Sequence, residues 1–131
     1  MIGADRLRGE NGAAVVDFVL TSALLMFVFL AVLQLGLALH VRNTLISCAA
    51  EGARYGAREG VTPEQGAGRT RELISRSLSS RFSGEVSASV RTTGANMRVL
   101  VVDVTAPIPV VGPLGPGDGL EVRGRAFMED Q

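Results

Sequence analysis

Residues 15–39 are apolar at nearly every position, and Asp17 is the one ionisable side chain among them. The hydroxyls of residues 18–33 are Thr21 and Ser22, each able to bond back to a helix carbonyl. As a helix the stretch is about 37 Å long, enough to cross a hydrocarbon core of about 30 Å with some tilt. A cleaved secretory signal has a shorter apolar region and a small-x-small site; here the helical pattern runs on instead. It continues from His40 to Glu59, and Gly60, ahead of Thr62-Pro63, reads as the residue that ends it. After a Gly66-Ala67-Gly68 loop, residues 69–82 read as a second helix, with Ile74, Leu78 and Phe82 on one face and Leu73 beside them.

The remainder has a period of two. Val86, Ala88 and Val90 alternate with Ser87, Ser89 and Arg91, residues 92–96 form a turn, and residues 97–106 read as the strongest strand, apolar on both faces around Val99 to Val102, which predicts a central position. Pro107 and Pro109 stop that strand, residues 111–119 form a loop, residues 120–128 return as a third strand, and residues 128–131 read as an acidic end. The predicted fold is therefore α+β: a long N-terminal transmembrane helix, a second helix, and a small three-stranded antiparallel sheet. Its parts are a leader (1–12), the transmembrane helix with its helical extension (13–60), and a small α+β head (61–131).

Polar residues set the orientation. Arg6 and Arg8 flank the inner end of the span and hold the N-terminus in the cytoplasm, which sends the head out of it; His40 and Arg42 at the other end make the contrast modest. Within the span, Gln34, Gly36, Ala31 and Ala38 have two readings: tolerated near an interface, or a face shaped for another helix. Beyond it, Ala49, Ala53 and Ala57 are four apart, as are Cys48, Gly52 and Gly56. The glycines cost about 1 kcal/mol each in helix propensity, and close packing, including packing between subunits, is the natural offset. Glu51 and Arg54, at i and i+3, can pair on a solvated face.

Composition narrows the function. Thirteen basic and thirteen acidic residues leave a formal charge of zero, so no nucleic acid partner is implied. The single cysteine, Cys48, excludes an internal disulfide and a multi-cysteine metal site; it reads as a small packed residue, with an intermolecular bridge as the alternative. His40 has no second imidazole for a metal and no nucleophile at a matching spacing, and Asp103 and Asp118 are single carboxylates. The glycine-rich loop lacks both a Lys and a following helix, so it does not cradle phosphate. The chain is expected to be no enzyme, with no cofactor, no metal and no small-molecule substrate.

Asp17 needs its own explanation. A carboxylate near the start of an apolar helix costs a few kcal/mol if buried in lipid unpaired, and the helix N-terminus offsets only part of that. The sequence around it, Gly12-Ala13-Ala14-Val15-Val16-Asp17-Phe18, resembles the processing site of Flp-type prepilins: a glycine, four small or apolar residues, an acid, an aromatic. Together with Gln34-Leu35-Gly36, Arg42-Asn43 and Glu51-Gly52-Ala53-Arg54-Tyr55, it is similar to the TadE-like family, minor pseudopilins of the tight-adherence (Flp) pilus system. The resemblance covers about the first 60 residues and departs from the pattern in having Asp where Glu is usual.

That resemblance implies cleavage by a prepilin peptidase between Gly12 and Ala13. It also implies a new amine on Ala13 that pairs with Asp17 of a neighbour, and packing through Asp17, Gln34, Gly36, Gly52 and Gly56. The implied partners are the lipid bilayer and other pilins or pseudopilins of the Tad system. The implied role is structural, in assembly or initiation of a pilus or related secretion apparatus. The alternative is an uncleaved single-pass protein whose outer domain binds an envelope partner.

Overall fold

The computed structural model describes residues 2–108 and 119–128, with side chains from residue 9 onward. The expectations for Arg6 and Arg8, Pro109, the loop at 111–118 with Asp118, and the acidic end at 129–131 lie outside the described side chains or residues. The order of elements is α1 (Ile2–Gly56), α2 (Pro63–Ser77), a short 3-10 segment (Ser80–Phe82), β1 (Glu85–Thr92), β2 (Arg98–Ala106) and β3 (Leu120–Phe127). The architecture is α+β, as the periodicity predicts. The chain divides into two compact units, Met1–Gly36 and Leu37–Gln131.

The first unit is helix alone, and from Gly9 onward all but one of its side chains are exposed, the apolar ones included, with Phe18 at 72 % and Phe27 at 73 %. The helix that contains it is long and apolar enough to cross a membrane.

The second unit has a core. Val41, Leu45, Cys48, Ala49 and Ala53 of α1 meet Ala67 and Ile74 of α2, Phe82, and Val86, Val102, Val104 and Val122 of the sheet. The sheet is antiparallel in the order β1-β2-β3, so β2 is central, and it buries both faces over Val99, Leu100, Val101 and Val102. Hairpin β1–β2 turns through Thr93 to Met97, with Asn96 in the left-handed region at φ 59° and its N–H donating to the Thr93 carbonyl at 2.9 Å.

Three boundaries differ from the sequence reading. Helix α1 ends at Gly56, four residues before Gly60, which instead takes a positive φ of 77° in the turn that follows. Helix α2 begins at Pro63, so Gly66-Ala67-Gly68 is helical rather than a loop. Its start is a capping box: the Gln65 N–H donates to the Thr62 hydroxyl at 3.2 Å, the Thr62 N–H donates to Gln65 Oε1 at 2.9 Å, and proline occupies the first turn. The second helix also stops at Ser77 instead of reaching Phe82, and the separate 3-10 turn carries Phe82 into the core.

Candidate functional site

The processing motif lies in the first unit. Gly12, Ala13, Asp17 and Phe18 are all helical and exposed, with Ala13 and Asp17 one turn apart. No added Cβ at Gly12 or Gly36 would meet another atom within 4 Å. No ion pair among the described residues involves Asp17. Gln34 is half-buried and Gly36 exposed. This surface is accessible to lipid or to another helix.

Gly52 and Gly56, expected to take part in subunit packing, are a different case. Both are buried within their own chain. A Cβ on Gly52 would strike Thr70 Oγ1 and come within 2.9 Å of the Gly66 carbonyl oxygen; one on Gly56 would lie 2.6 Å from Leu100 Cδ2 and 2.9 Å from Gly66 Cα. The glycines exist because α1 and α2 approach backbone to backbone, with Gly66 as the matching gap. A third close approach is at Gly124 of β3, where a Cβ would overlap the backbone of Ala49. A lone glycine inside a strand pattern is the signal that could have found it.

The Glu51-Gly52-Ala53-Arg54-Tyr55 element splits by helical phase. Gly52 and Ala53 face the core, whereas Arg54 Nη2 meets Glu51 Oε2 at 3.3 Å on the exposed side, with the two side chains 65 % and 48 % exposed. A pair so exposed contributes little to stability. The Arg58 guanidinium lies 5.7 Å from the Tyr55 ring centroid. Cys48 is a free thiol buried in the core, as its packing reading predicts.

Asp103, read from sequence as a single carboxylate, has a partner. It sits directly across from Arg123 in the β2–β3 register, and the Arg123 Nε–H donates to Asp103 Oδ1. The hydrogen bond and charge of Asp103, with a smaller contribution from Glu121, raise the Arg123 pKa above its ordinary value. That arrangement is a cross-strand ion pair, not an acid–base couple. The described residues hold no group of three or more His, Cys, Asp or Glu that could bind a metal, and no buried side-chain polar atom among them lacks a hydrogen bond.

The class of protein this defines is one with a single apolar N-terminal helix, of the kind found in single-pass membrane proteins, followed by a small α+β head. Residues 12–54 match the family described as TadE-like protein, so the chain is similar over that segment to a family associated with the Tad pilus. No curated protein and no solved structure matches the chain.

Proposed function

We propose that this protein is a minor pseudopilin: a structural subunit in the assembly or initiation of a Flp/Tad-type pilus or related secretion apparatus. It is anchored with its N-terminus in the cytoplasm and its head outside. The observation that carries the reading is the position of the family match, which begins at Gly12, the glycine after which a prepilin peptidase would cut. Cleavage would leave a cationic amine on Ala13. In lipid, an unpaired Asp17 carboxylate is costly, and a neighbouring subunit's amine would remove that cost. The exposed apolar surface of residues 15–36 supports embedding in a bilayer or in a bundle of similar helices.

The test is the intact mass of the full chain purified from membranes of cells that carry or lack a prepilin peptidase. Loss of residues 1–12 only when the peptidase is present supports the reading. Asp17→Asn should then reduce association with sibling pilins by about tenfold, the scale of 1.4 kcal/mol for one charge pair at the membrane boundary. Unchanged maturation and fibre output in Asp17→Asn would remove the mechanism. A second reading, an uncleaved single-pass protein whose head binds an envelope partner, is favoured by one observation: Gly12 and Ala13 lie inside a continuous helix rather than in an extended segment. An intact N-terminus with the peptidase present would select it.

A further inference from the structure

The alternation of the strands gives the sheet two faces with different fates. Val86, Val102, Val104 and Val122 point into the core beneath α1 and α2; on the opposite face the outer-strand residues Glu85, Ser89, Arg91, Glu121, Arg125 and Phe127 are exposed, while Val99 and Val101 of the central strand are buried between them. Its charges are sorted along the strands. At one end Glu85, Thr105 and Glu121 lie side by side, next to the Asp103–Arg123 pair, so that end carries three carboxylates and one guanidinium. Arg91, Val99 and Phe127 lie side by side at the other end, with Arg125 one step inward. Phe127 is 68 % exposed, and neither Arg91 nor Arg125 makes an ion pair among the described residues.

We propose that the exposed outer strands of this face form a homotypic contact surface, on which the carboxylate end of one copy meets the arginine end of a second copy. Like ends placed together would repel, so the charge pattern selects the opposed arrangement. A second copy is the occupant that needs nothing beyond this chain: one face carries both halves of the complementary pair, and Phe127 supplies an apolar anchor beside the arginines. Three strands of eight or nine residues make a face of roughly 400 Å² at 4.8 Å between strands and 3.4 Å per residue. That is about half the 800 Å² per partner of a stable complex, so the contact is weak in dilute solution and matters when chains are crowded together. The proposal concerns the head alone and holds whether or not residues 1–12 are removed.

The experiment uses the full chain in detergent micelles at high protein concentration, in a Cys48→Ala background with Ser89→Cys placed on the proposed contact face. A short thiol-specific bifunctional reagent should capture dimers, and capture should fall about fivefold between 0.1 M and 1 M salt as two exposed charge pairs are screened. Arg76→Cys on α2, in the same background without Ser89→Cys, should give no more than background. The decisive arm mixes two charge-reversed chains, Glu85→Arg with Glu121→Arg and Arg91→Glu with Arg125→Glu. Each alone should lose the dimer, and the mixture should regain it. All four positions are exposed, so reversal leaves the core intact. Capture that is insensitive to salt and to reversal, loss in both variants without recovery on mixing, or preferential capture of a sibling pilin over a second copy would each overturn the proposal.

Discussion

The two parts of helix α1 show what the same backbone does with different side chains. Residues 15–36 carry large apolar groups that almost all stay exposed, whereas residues 48–56 bury small ones, Ala49, Gly52, Ala53 and Gly56 among them. Bulk without cover implies an apolar solvent or neighbour. Smallness under cover implies that another backbone has come close. A stripe of small residues therefore does not by itself mark a subunit interface, since this one is closed by α2, Leu100 and β3 of the same chain.

Substitutions that fill the close approaches should break the comparison most severely. Gly124→Val puts a branched side chain into the Ala49 backbone, which cannot rotate away, and should destabilise the head by about 3 kcal/mol or more. Chemical denaturation of the full chain in detergent, followed by trypsin cleavage at the head arginines, reads this directly. Gly52→Ala is a smaller intrusion, against Thr70 Oγ1 and the Gly66 carbonyl, and should cost about 2 kcal/mol by the same measurement.

Its counterpart, Gly36→Ala, sharpens the contrast, because nothing lies near that position and alanine is the better helix former by about 1 kcal/mol. Head stability should be unchanged in that variant. If Gly36 faces a neighbouring subunit, association measured by cross-linking in membranes should fall; equal association would assign Gly36 to lipid. The smallest effect is expected from Glu51→Ala, which removes an exposed i, i+3 pair and should change stability by less than about 0.5 kcal/mol. A larger loss would mean that the Glu51–Arg54 pair has a role beyond the isolated head.

Much of the fold was legible because its signals are local. The long apolar helix follows from a run of apolar residues, and the strands from a period of two. The central position of β2 follows from its being apolar on both faces. The start of α2 was also written in Thr62-Pro63-Glu64-Gln65, but Gly66 and Gly68 read as a loop because glycine is a poor helix former when nothing packs on it. Gly66 is helical because Gly52 and Gly56 lie against it, a fact about two distant segments. The break after Ser77 was equally hidden, since Ile74, Leu78 and Phe82 keep helical spacing across it.

The sequence by itself determined an apolar N-terminal helix, a small α+β head, and an acid near the start of the apolar stretch. These depend on side-chain type and on spacing along one chain. Only the tertiary structure decided that Gly52 and Gly56 are buried in the interior, that Asp103 belongs to Arg123, and that the sheet face opposite the core is acidic at one end and basic at the other. Each of those depends on strand register or helix contact between residues far apart in sequence, where packing, not local preference, sets which atoms meet.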